Sequence, residues 1–143
     1  MLGSIQRRPS SSGGDTEYRA ALARLATRVA EVRANLVHTK NALQLEYHKD
    51  ALEDLTRYFE SISAQFVRYT QEQKGQYYWI LVRSSGRMQA ARRVAQTTLV
   101  VAKLFERYTR RPRSYSRTES GHKIEAVLAA LSDLESYCTP SVD

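Results

Sequence analysis

Apolar residues return at alternating steps of four and three from Tyr18 through Leu22, Leu25, Val29, Val32 and Leu36 to Leu43, with a polar Thr39 one step before the end. This is the spacing of a coiled-coil seam. A stripe of two residues per heptad can be buried only against another helix, of this chain or of a different one, so helix association comes before any chemistry. On this reading the chain is incomplete by itself and its work is to join other components. A second seam runs through Leu52, Leu55, Phe59, Ile62, Phe66 and Tyr69, displaced by two positions, since Leu43 plus seven is Asp50. Two residues turn a helical stripe by about 200°. Either the chain reverses near His48 to Asp50, or one long helix changes its buried face there. Asp50 followed by Glu53 has the form of a capping box, which favours a new helix and a hairpin.

The remaining chain also reads as helix with few breaks. Asp15 or Thr16 can cap the first helix, which is expected to run to about Tyr47. Lys74 and Gly75 suit the end of the second. The run Tyr77, Tyr78, Trp79, Ile80, Leu81, Val82 would satisfy a strand by composition, but nothing nearby supplies a strand partner. As a helix it is apolar on every face and belongs in a core or an interface. Ser84, Ser85 and Gly86 mark a kink or loop. A third helix, about Arg87 to Arg110, places Ala91, Val94, Ala95, Thr98, Val101, Ala102 and Phe105 on one side. Pro112 stops it, and Ile124, Val127, Leu128, Leu131 and Leu134 give a final short amphipathic helix. The expected fold is all-α: an elongated antiparallel helical hairpin or a three- to four-helix bundle with coiled-coil seams. Its parts are a disordered tail over 1–14, a helical domain over 15–110, a basic polar linker over 111–121, and a short helix with a tail over 122–143.

Charge is distributed unevenly along the 143 residues, whose net charge is +7. From Asp15 to Gly75 nine bases balance nine acids, whereas from Gln76 to Arg117 ten bases face only Glu106. Arg92, Arg93, Lys103, Arg107, Arg110 and Arg111 fall on the arc opposite the apolar side of the third helix. Such a helix packs inward while presenting cations to a polyanion: an acidic protein surface such as tubulin, the phosphates of a nucleic acid, or acidic lipid headgroups, the last least favoured because the apolar side after Ala91 is mostly small residues and would insert poorly. The alternative is a solvated face kept soluble by arginine. Tyr77, Tyr78 and Trp79 precede the bases in sequence and fit a core or an interface better than a stacking platform for bases.

Catalytic patterns are lacking: no phosphate-binding glycine loop with its lysine, no dinucleotide fingerprint, no paired histidines at zinc spacing and no serine nucleophile elbow. The expectation is a non-enzymatic protein with no catalytic residues, no cofactor, no metal ligands and no small-molecule substrate. His38, His48 and His122 are expected to be solvated or capping, and the single cysteine, Cys138, to be a spare thiol in a reducing compartment. The longest apolar run is the six residues from Tyr77 to Val82, far short of the roughly 18 a membrane span needs. An intracellular location is expected, cytoplasmic or nuclear, with a mitochondrial one as the alternative. The first 14 residues have the basic, serine-rich, acid-free composition of a mitochondrial transit peptide but no amphipathic stripe. Serines follow arginines at Arg7-Arg8-Pro9-Ser10 and Arg113-Ser114-Tyr115-Ser116, the context basophilic kinases recognise, where a phosphate would partly neutralise the basic patch.

A heptad helix ending near Leu45-Glu46, a second helix with Leu52, Leu55, Ile62 and Phe66, and the run Glu72-Gln73-Lys74 leading into a further helix resemble the small coiled-coil subunit of the spindle and kinetochore-associated complex. The resemblance covers roughly residues 18–100. It implies a non-catalytic helical protein that assembles with other helical subunits or with itself and helps to hold chromosomes to microtubules.

Overall fold

The computed structural model describes residues 7–43, 48–76 and 85–138. Among them are four α-helices, α1 (Arg7–Ala42), α2 (Lys49–Gln76), α3 (Ser85–Arg110) and α4 (Arg117–Ser136), with a 3-10 turn at Pro112–Ser114 between the last two. They pack antiparallel as a bundle: α2 lies along α3, α3 along α4, and α4 closes on α1. Individual side chains fix the directions. Phe59 meets Phe105 and Ser63 meets Ala95 between α2 and α3. Tyr108 reaches Glu119 and Arg93 reaches Asp133 between α3 and α4. Arg33 pairs with Glu135 and Lys40 with Glu125 between α1 and α4, and Arg28 contacts Gln65 between α1 and α2.

Both seams close inside this core. Leu22, Leu25, Val29, Val32, Leu36 and Leu43 are buried, as are Leu52, Phe59, Ile62 and Phe66, while Leu55 and Tyr69 pack partly buried against them. Of the two sources open to a seam, a helix of this chain or of another, the fold uses the first. The surface that covers both seams therefore comes from helices of the same chain. The hairpin at His48 to Asp50 is also settled in favour of two helices, since α1 ends at Ala42 and α2 begins at Lys49.

α3 is the helix most enclosed, because α2 and α4 flank it. Small residues permit this: Ala90, Ala91, Ala95 and Ala102 are buried, and the fully buried Thr98 turns its hydroxyl back to the Val94 carbonyl at 2.8 Å. Ser63 donates across the interface to the Ala95 carbonyl at 2.9 Å, so the buried hydroxyl is satisfied. Towards the far end of α3, Phe59 and Phe105 stack with centroids 5.7 Å apart, and Tyr108 meets Phe105 edge-on at 6.0 Å. Removing a buried ring of this kind costs about 3–5 kcal/mol.

Element boundaries differ from expectation at several places, among them the end of α1, at Ala42 rather than about Tyr47, and the start of α3, at Ser85 within the expected kink or loop. α1 starts at Arg7 rather than at Asp15 or Thr16, so residues 7–14 of the expected tail are helical. Pro9 falls in the first turn, where its missing N–H needs no intrahelical acceptor. α2 is capped by His48 instead of Asp50, since the Ala51 N–H donates to His48 Nδ1 at 3.4 Å. The expected linker over 111–121 is much shorter. Ser116 accepts the Glu119 N–H at 3.1 Å and caps a helix of 20 residues, making Ser116-Arg117-Thr118-Glu119 the capping-box pattern that starts α4. The apolar run Tyr77, Tyr78, Trp79, Ile80, together with Leu81 and Val82, lies outside the described residues.

Candidate polyanion-docking face

The inner side of α3 is committed to the core, and this turns its charges outward. Arg92, Arg93, Lys103, Arg107 and Arg110 are all exposed, as is Arg111 just past the helix end. Pro112 then forces the chain into a turn. Ser114 N–H donates to the Arg111 carbonyl at 2.9 Å and Tyr115 N–H to the Pro112 carbonyl at 3.1 Å. Tyr115 anchors that turn by setting its ring edge-on to Tyr108 at 5.1 Å. Arg111 and Arg113 are thereby displayed on a turn fastened to the core, with Arg117 at the start of α4 beyond it.

The six predicted cations do not form one cluster. Arg92 and Arg93 stand near the start of α3, and Lys103, Arg107, Arg110 and Arg111 near its end, so the face spans about 28 Å of helix. The structure also brings in residues that sequence reasoning passed over. Lys123 of α4 joins Lys103 and Arg107 around a shallow groove of about 310 Å³, whose other lining residues are Val100, Leu104 and Glu119. Arg113 and Arg117, assigned to a linker, are exposed beside it in the chain. The signal for Lys123 was the i to i+4 step from Glu119 on a helix that starts at Arg117.

Acids enter the face as well, which corrects the picture of ten bases against Glu106 alone. Because α4 runs antiparallel along α3, Asp133 lies 3.4 Å from Arg93 and Glu119 lies 3.8 Å from Arg107, while Glu106 pairs with Arg110 at 2.9 Å. These pairs are weak, since the three arginine side chains remain 60, 61 and 73% exposed, and exposed pairs contribute about 0–1 kcal/mol. Glu119 is also drawn inward by the Tyr108 hydroxyl, which donates to it at 2.7 Å. Arg92, Lys103, Arg111, Arg113, Arg117 and Lys123 form no ion pair with other described residues.

One base behaves in the opposite way. Arg87 is only 8% exposed and sits where α1, α3 and the end of α4 meet. It donates from Nη2 to the Tyr18 hydroxyl at 2.6 Å and from Nε to the Tyr137 carbonyl at 3.2 Å, and lies 5.3 Å from the Tyr18 ring centroid. Tyr18, the first residue of the first seam, is accordingly half-buried against a guanidinium. Nearby, burial pushes the Tyr69 hydroxyl up to about 12, an effect that Arg87 partly offsets. Burial also pushes the Cys138 thiol up, again opposed by Arg87. The thiol donates to the Leu134 carbonyl at 3.4 Å, an arrangement suited to a structural cysteine rather than a nucleophile.

His38, His48 and His122 are exposed and lie on α1, ahead of α2 and on α4. Among the described residues no group of three or more His, Cys, Asp or Glu side chains is placed to hold a metal ion, and no helix is long and apolar enough to cross a membrane. The class defined by fold and face is an antiparallel four-helix bundle with a basic outer ridge. No protein-family model matches the chain, and no curated protein or solved structure matches it either.

Proposed function

We propose that this protein is a non-enzymatic helical adaptor that docks an acidic protein surface through the outer face of α3 and the turn that follows it. The observation that carries the reading is the division of α3. Its apolar side is used up in the core, while Arg92, Arg93, Lys103, Arg107 and Arg110 are exposed and held in fixed register by a helix packed on both flanks. Rigid display lowers the ordering cost of binding. Other subunits of an assembly would meet the outer faces of the bundle, because the seams are already filled. The resemblance to the small coiled-coil subunit of the spindle and kinetochore-associated complex makes the acidic surface of microtubules the first partner to test.

A second reading is favoured by the cations that have no described ion-pair partner around the Pro112 turn, Lys103, Arg111, Arg113, Arg117 and Lys123. The same surface would take the phosphates of a nucleic acid. Replacing Arg92, Arg93, Lys103, Arg107, Arg110 and Arg111 by glutamine, and titrating both proteins against microtubules and nucleic acid over a salt series, tests the face and separates the readings. Affinity should fall in the variant, and its dependence on salt should flatten. Binding that ignores both the substitutions and the salt excludes this surface.

A further inference from the structure

Leu99 and Val100 are 40 and 48% exposed and sit side by side in the middle of the basic ridge. Val37 and Val67 are similarly exposed but stand singly on α1 and α2, the ordinary scatter of apolar atoms on a protein surface. On α3 the exposed positions continue a coiled-coil spacing. Arg92, Gln96, Leu99, Lys103, Glu106 and Arg110 follow one another at steps of four and three, and Arg93, Val100 and Arg107 make a second row at intervals of seven. Seven residues rise about 10 Å. The apolar pair therefore has Arg92 and Arg93 one heptad to one side and, one heptad to the other, Arg107 beside Glu106, whose charge is taken up by Arg110 at 2.9 Å. Val100 also lines the groove between α3 and α4, with Leu104 beneath, Lys103, Arg107 and Lys123 around it, and Glu119 at its edge held by the Tyr108 hydroxyl at 2.7 Å.

We infer that this ridge seats an acidic amphipathic helix of a partner protein, whose central apolar residue packs on Leu99 and Val100 while carboxylates one heptad away on each side pair with Arg92 and Arg93 and with Arg107. The inference rests on the docking role proposed for the basic face and adds the shape and apolar centre of what docks there. Helical spacing on the outside of α3 matches a helix, because a partner helix meets the same two rows at the same rise. Charge complementarity selects acids. A phosphate backbone would gain nothing from two branched aliphatic side chains placed between arginines, and a second copy of this chain would bring its own net charge of +7 to the contact.

The test uses fluorescence anisotropy with the full chain and two probes. One is a synthetic helix with a central leucine and glutamates one heptad to each side; the other is a single-stranded oligonucleotide. The wild type should bind the helix, and the double variant Leu99→Ser with Val100→Ser should bind it about tenfold more weakly. That variant should keep its helicity and its affinity for the oligonucleotide. The variant Arg92→Gln with Arg93→Gln should weaken the synthetic helix through lost charge. Failure of the wild type to bind the helix, equal affinity for a shuffled peptide of the same composition, or no loss in the serine variant overturns the inference and leaves the basic face standing. A dimer in light scattering that disappears in the serine variant also overturns it, the seat being then occupied by a second copy. Indifference of both probes to the arginine substitutions overturns the docking face itself.

Discussion

Arg87 and Arg92 stand five residues apart on α3 and look alike in sequence, yet one is buried among tyrosines and the other points to solvent. The difference arises from the end of the bundle, where Tyr18 of α1 and Tyr137 after α4 converge on the same helix start as Arg87. Gly86 allows this approach, because a Cβ at that position would come within 2.7 Å of the Tyr137 ring. The same corner sets a pH dependence. The Tyr69 hydroxyl, pushed up to about 12 chiefly by burial, keeps its proton longer in the folded chain than in the unfolded one. Its folded value lies above its unfolded value, so its contribution to stability is fully present below about pH 10 and is lost as pH rises through about 12. Tyr58, Tyr108 and Cys138 are raised in the same sense by burial. Urea midpoints should fall across this alkaline range in the wild type and fall less in Tyr69→Phe. Equal slopes would show that Tyr69 is not the group responsible.

At the scale of elements, α4 shows how far local signals reach. Its core positions Ile124, Val127, Leu131 and Leu134 are buried and Leu128 is half-buried, as the apolar spacing expects. Its start was hidden by Arg113, Ser114, Ser116 and Gly121, residue types common in linkers, although Ser116 and Glu119 form a recognisable cap. Two substitutions should move stability in opposite directions. Ser116→Ala removes the acceptor for the Glu119 N–H and should cost about 1 kcal/mol. Gly121→Ala should add about 0.5–1 kcal/mol, since the glycine is helical and an added Cβ meets nothing within 4 Å. Chemical denaturation measures both changes, and a stabilising Ser116→Ala would contradict the cap. At the other end of the chain, Pro9 and the serines around it suggested a tail. The helix through them is compatible with that proline only because it occupies the first turn.

For the molecule as a whole, closure of the bundle changes what the heptads mean. Leu36, Val29, Phe59 and Leu131 are fully buried against helices of the same chain, which predicts folding without a second subunit. Helicity and the thermal midpoint should not change with protein concentration; a midpoint that climbs on concentrating the sample would reveal an obligate oligomer. The periodicity of Leu, Val and Phe determined by itself that the chain is helical and which stripe of each helix is apolar, because that pattern is local and repeats with the helix turn. It also placed Arg92, Arg93, Lys103, Arg107 and Arg110 on the outer arc of α3. Only the tertiary structure decided which helix covers which seam, that Arg87 leaves solvent, and that Lys123, Glu119 and Asp133 share the face with the arginines of α3. Those outcomes depend on contacts between segments distant along the chain, where a stripe states that it must be covered and carries no mark of the helix that will cover it.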